Sequence, residues 1–143
     1  MQELLVFQSL WAMERRHTDG VERSLDENLE MIHAAGYDGI SFAATGPAVV
    51  ERVCAFAGNC GLAMEWQCFP KTIDDLQPVL ELASKHRIHH LDIQPDVRPR
   101  ELKESIRLID GWRRLIEQVD FPAYFETHRD RLTTDLYATL DLL

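Results

Sequence analysis

Short apolar runs alternate along this chain with longer stripes of helical period, at intervals of about 30 residues, the repeat length of a βαβ unit. That alternation restricts the fold more than any other feature, because it calls for parallel strands joined by helical crossovers. Leu4–Phe7, Gly39–Phe42, Leu62–Phe69, Ile88–Gln94 and Ala123–His128 read as strands. Between them, Leu25, Leu29 and Ile32 make one helical stripe and Val50, Val53, Ala57 and Cys60 a second. Leu76, Val79, Leu80 and Ala83 make a third, and Leu102, Ile106, Ile109, Trp112 and Ile116 a fourth, opened by Pro99. Ser24 with Glu27 has the spacing of a capping box, and Gly36 and Gly61 are helix stops. Gly46-Pro47 opens the second helix, Asp74 or Asp75 caps the third, and Pro78 fits only in a first turn. Thr133 or Thr134 caps a last helix running to the end.

Two architectures satisfy such a pattern: a doubly wound open sheet and a (β/α)-barrel. No glycine-rich phosphate loop, neither GxGxxG nor GxxxxGK[ST], is present to favour the first. Strands of a doubly wound sheet are buried on both faces and read as almost wholly apolar. Here one face is polar: Glu65 and Gln67 in the third strand, His90, Asp92 and Gln94 in the fourth, Tyr124, Glu126 and His128 in the fifth. A polar inner face suits a barrel, whose active site lies at the C-terminal ends of its strands. The expectation is a single α/β domain over 1–143, of (β/α)8 TIM-barrel type but holding only about five of the eight units.

Composition narrows the function. The chain has 143 residues, with 24 acidic against 15 basic side chains and a net charge of −9. That balance argues against a protein that grips phosphate backbones by bulk charge. No apolar run approaches the ~18 residues of a membrane span, and no basic leader precedes the first apolar stretch. Three cysteines, Cys54, Cys60 and Cys68, lack zinc-type spacing and fit a reducing cytoplasm. They read as inert core residues.

The strongest chemical pair is Glu126 and His128, two residues apart and so pointing the same way from an extended strand. A carboxylate and an imidazole there can bind a divalent metal or act as base and orienting group. The plainer alternative is a salt-bridged Glu126 and a His128 that satisfies a loop carbonyl. Arg131, in the following loop, is suited to an anionic or polyhydroxy substrate. His90, Asp92 and Gln94 form a second set, with a satisfied polar network as the alternative, while His89 on the opposite face packs beneath a helix. Glu65 and Gln67 point inward with open roles. Trp11 and Trp66 are packing or rim aromatics. Glu14 to His17 form a solvated loop, and Asp96 to Arg100 bring charge to the C-terminal side of the fourth strand.

The stretches LVFQSLWAMERRHTDG, GYDGISF, QCFPKTIDDLQPVLELA, HHLDIQPDVRP and above all YFETHRDRLTTD resemble the xylose isomerase-like TIM barrels. That group comprises the sugar phosphate isomerases and epimerases and the endonuclease IV nucleases. The resemblance implies that Glu126, at the end of the fifth strand, is a ligand of a divalent Mn²⁺ or Mg²⁺. It also implies that the remaining ligands belong to strands beyond Leu143. His90, Gln94, Arg131 and Gln67 become expected substrate contacts, with Glu126 and His128 as catalytic residues. The implied reaction is metal-assisted proton transfer beside a carbonyl of a sugar-like substrate, incomplete in a chain cut short. The nuclease branch is disfavoured by Gln94-Pro95-Asp96, where a histidine turn is needed. A non-enzymatic half-barrel is the other alternative, associating as a homodimer through an exposed sheet edge or helix face.

Overall fold

A computed structural model of the chain describes residues 4–14, 20–99 and 101–142. Five strands, β1 (Phe7–Ser9), β2 (Gly39–Ala43), β3 (Ala63–Cys68), β4 (His90–Ile93) and β5 (Ala123–Phe125), form one parallel sheet in the order β1-β2-β3-β4-β5. Helices α1 (Leu25–Ala34), α2 (Pro47–Cys60), α3 (Leu76–Ala83), α4 (Leu102–Ile116) and α5 (Leu136–Asp141) follow the strands in turn. The α/β class and the βα alternation are as the periodicity requires. The sheet is open among the described residues, so a closed barrel is not what these strands form. The chain divides into two compact units, 1–66 and 67–143.

In the first unit, Ser24 caps α1 through a full capping box: its side chain accepts from the Glu27 N–H and its own N–H donates to the Glu27 carboxylate at 2.8 Å. Gly61 ends α2 in the left-handed region at φ 70°, which glycine adopts without a Cβ clash. Gly39 stands opposite Phe7 in the β1–β2 register. A Cβ there would lie 2.4 Å from the Phe7 ring and 2.6 Å from the Ala63 carbonyl oxygen, so only glycine fits. Leu29, Ile32, Ile40, Val50, Val53 and Trp66 are fully buried, and the Phe42 and Trp66 rings meet edge to face at 5.7 Å. Each such side chain contributes about 1.5–3 kcal/mol by leaving water.

In the second unit the strand alternation is clean. Leu91 and Ile93 are buried while His90 and Asp92 are half-exposed, and in β3 Cys68 is buried while Gln67 is not. Leu76, Leu80, Leu108 and Trp112 complete this core, and the Trp112 indole N–H donates to the Thr72 carbonyl at 2.8 Å.

Several expected boundaries move. β1 starts at Phe7 rather than Leu4, and α4 begins at Leu102, three residues after Pro99. The buried stripe of α4 is Ser105, Leu108 and Trp112, leaving Leu102 and Ile106 each 42% exposed. Both faces of that helix carry aliphatic residues, so the apolar spacing alone does not say which one meets the sheet. Asp135, not a threonine, caps α5 by accepting from the Ala138 N–H. At α3, Asp75 holds the cap position but its carboxylate turns back to accept from the Lys71 and Thr72 N–H groups. His89 precedes β4 and is exposed rather than packed beneath a helix. The basic residues of the loop expected from Glu14 to His17 fall outside the described residues, as does Arg100.

Candidate active site

The second unit gathers polar side chains where β4 and β5 end. β5 stops at Phe125, so Glu126 is the first residue past the strand, although its N–H still donates to the Ile93 carbonyl at 2.9 Å. On β4's side the ladder also runs on: the Gln94 N–H bonds the Cys68 carbonyl and the Asp96 N–H the Pro70 carbonyl, each at 2.9 Å. Parallel register sets Asp92 against Tyr124 and Ile93 against Phe125. The next step brings Gln94 beside Glu126, and the Gln94 amide donates to the Glu126 carboxylate at 2.9 Å.

Beyond Glu126 the chain folds back on itself. The His128 N–H donates to the Thr133 hydroxyl at 3.0 Å, and that hydroxyl donates to the Glu126 carbonyl at 3.2 Å. Asp130 sits in the left-handed region at φ 60°, a conformation that aspartate tolerates better than most residues. Its N–H is held by the Thr134 hydroxyl at 2.8 Å. The two threonines expected to cap a helix therefore close this turn instead.

Inside the turn, Arg131 pairs with Asp96 through one terminal guanidinium nitrogen. Lys71 reaches the other Asp96 oxygen at 3.4 Å. Two cations thus share one carboxylate. The Arg131 Nε is shut off from water and has no acceptor among the described residues.

Of the expected site residues, Gln94 and Glu126 come together, and Arg131 stands in the loop that Glu126 opens. His128 lies three residues past the end of β5. It has left the strand, and its Nδ1 lies 2.6 Å from the Arg129 carbonyl. A carbonyl only accepts, so Nδ1 carries the proton in this contact. This is the plainer role for that histidine, and the shared strand direction with Glu126 does not exist. His90 packs its ring against Tyr124 at 5.6 Å and against His89 at 5.0 Å. Gln67 is half-exposed near the end of β3. Lys71 was not legible as a site residue, and only its place three residues after β3 marks it.

Nothing here fits the expected divalent-metal centre. No group of three or more His, Cys, Asp or Glu side chains converges among the described residues. Glu126 instead accepts from an amide, which leaves one carboxylate where Mn²⁺ or Mg²⁺ needs several oxygen ligands.

Of the cysteines expected in the core, Cys68 is buried while Cys54 and Cys60 are half-buried. Burial pushes the Cys68 thiol up to about 12, with the Asp92 charge adding to it, and the Cys54 thiol up to about 11. Neither is a thiolate nucleophile near neutral pH.

No family model and no curated protein matches this chain. Among solved structures, it superposes on a 3-dehydroquinate dehydratase from Geobacillus kaustophilus HTA426 with a TM-score of 0.60 and 10% identity. The match covers 85% of this chain and 49% of that one, so the chain spans about half the length of the enzyme. At that identity the likeness is one of fold. It overturns the xylose isomerase-like assignment, and with it the sugar isomerase or epimerase activity and the nuclease alternative. What is established is a parallel α/β chain sharing its fold with part of a dehydratase.

Proposed function

We propose that the second unit binds a small hydroxylated carboxylate at the C-terminal ends of β4 and β5. The observation that carries this is Arg131. Its guanidinium is anchored by Asp96, lies beside Lys71, and keeps a water-excluded Nε–H without an acceptor. An unmet buried donor is costly, and a ligand carboxylate is the group that matches a guanidinium fork. Glu126 and Gln94 then supply an acceptor and a donor for ligand hydroxyls, and the Glu126 carboxylate is placed to take up a proton from the ligand. The fold supports the same placement, since ligands of open parallel sheets bind outside the carboxyl ends of the strands.

Isothermal titration with 3-dehydroquinate and quinate, beside the uncharged polyol inositol, tests the ligand class. The carboxylates bind and inositol does not. Arg131→Gln weakens the carboxylates by about 10–100-fold, the loss of a charge-assisted bond. Equal affinity for inositol, or an Arg131→Gln variant with unchanged affinity, defeats the proposal.

A further inference from the structure

The first unit holds a cleft of about 520 Å³ that shares no residue with the site above. Its volume lies within the range of small-molecule pockets, which pair apolar walls with a few placed polar groups. Leu10 follows β1, Phe42 ends in the last turn of β2, Leu25 and Asn28 stand at the start of α1, and Val49 lies in the first turn of α2. Leu10 and Phe42 are buried. Asn28 is the polar member of this wall. It is 5% exposed, and its Oδ1 is shut off from water and meets no donor among the described residues. The capping box makes no use of this carboxamide, since Ser24 and Glu27 satisfy each other. The Asn28 backbone N–H is engaged separately, donating to the Ser24 carbonyl at 3.0 Å. Packing alone would be met by an apolar side chain, as it is at the fully buried Leu29 and Ile32 of the same helix. A buried acceptor without a donor is costly, and a ligand donor removes that cost.

We propose that this cleft binds a neutral, largely apolar amide whose N–H donates to Asn28 Oδ1. The incoming group is a donor, because a carboxamide oxygen only accepts. It is uncharged, because an ammonium set against Leu10, Leu25 and Phe42 would exchange its hydration for a single amide oxygen. An amide is the neutral group that answers a carboxamide at both ends, donating to its oxygen and accepting from its amine. The aliphatic body of the ligand lies against Leu10, Phe42 and Val49. The inference rests on Asn28 and these apolar walls, independent of Arg131.

The test is a titration of the full chain with ε-caprolactam and with N-methylcaprolactam, which has the same ring and carbonyl but no N–H. Binding is read from the Asn28 side-chain amide and the Phe42 backbone amide in 1H–15N spectra. Caprolactam shifts both signals with a Kd of about 1 mM. The N-methyl compound binds about tenfold more weakly, the loss of one hydrogen bond to a buried acceptor. Asn28→Leu removes the acceptor and lowers caprolactam affinity by a similar factor. The two lactams are compared in the parent chain, so the decision stands even where Asn28→Leu does not fold. Three results overturn the proposal: no shift with caprolactam at about 10 mM, equal affinity for the two lactams, or full affinity in a folded Asn28→Leu.

Discussion

Replacing Gly39 with alanine puts a methyl group where the β1–β2 pairing has no room for one. The added Cβ would lie 2.4 Å from Phe7 Cε1 and 2.6 Å from the Ala63 carbonyl oxygen. Real Cβ contacts essentially never fall below 3.0 Å, so something must move. The Phe7 ring can swing, but the Ala63 oxygen is backbone. Its residue is held by the Ala63 N–H to Asp38 bond, and Asp38 in turn by its N–H to the Val6 carbonyl, both at 2.9 Å. Relief therefore displaces the first residue of β3, at the upper end of the usual overpacking cost, about 3 kcal/mol. For a chain of this size that lowers the melting temperature by about 6–12 °C. Gly58 provides the internal contrast: it lies within α2, and a Cβ there meets nothing within 4 Å. Gly58→Ala gains about 0.5–1 kcal/mol of helix propensity. Circular-dichroism melts of both variants decide the matter. A Gly39→Ala protein that melts with or above the parent chain refutes the close approach of β1, β2 and β3.

Ser24→Ala removes the α1 cap and costs about 1 kcal/mol, visible as a lower urea midpoint. The Ser24 backbone and side-chain bonds hold Glu27 below its ordinary value, so the capping box acts above that value and its contribution is lost as pH falls through the carboxylate range. Helicity near α1 that is unchanged by acid would contradict it. Burial pushes the Cys68 thiol up to about 12 and that of half-buried Cys54 up to about 11, from an ordinary value of 9.0. The neutral thiols thus stabilise fully below pH 9, and that stability drains as pH rises towards the folded values. A cysteine-to-alanine pair with the same alkaline slope as the parent chain would argue against this burial. Trp112→Phe deletes the bond to the Thr72 carbonyl and part of a fully buried ring, which together cost about 2–3 kcal/mol by chemical denaturation.

The parts of the fold that were legible in the sequence are those where one residue type has one local solution. Ser24 and Glu27 form the capping box that their spacing implies, and Pro47 and Gly61 bound α2 as their backbones dictate. The alternation of Met64, Trp66 and Cys68 with Glu65 and Gln67 gave the faces of β3 correctly. What failed depended on the partner surface. Ile106 and Leu108 are equally apolar, and only packing on the sheet decides that Leu108 is the buried one. Alternation carried β5 through His128, but the chain turns at Glu126 because Thr133 captures the His128 N–H, a contact that no periodicity encodes. The sequence placed Gln94 and Glu126 in separate sets, and only the β4–β5 register brings them together. The Lys71, Asp96 and Arg131 cluster joins three separate loops and was out of reach. The family resemblance, read from stretches along the whole chain, failed because local stretches of a βα repeat do not fix the family.

The central claim is that Arg131 and the Gln94–Glu126 pair receive one ligand. The direct measurement is a 1H–15N titration of the full chain with 3-dehydroquinate, following the Arg131 Nε–H, the Gln94 side-chain amide and the His128 backbone amide. The account predicts that all three move together on one binding curve, with the Arg131 signal shifting most. Binding that leaves the Arg131 Nε–H in place, or that moves these signals on separate curves, would contradict it.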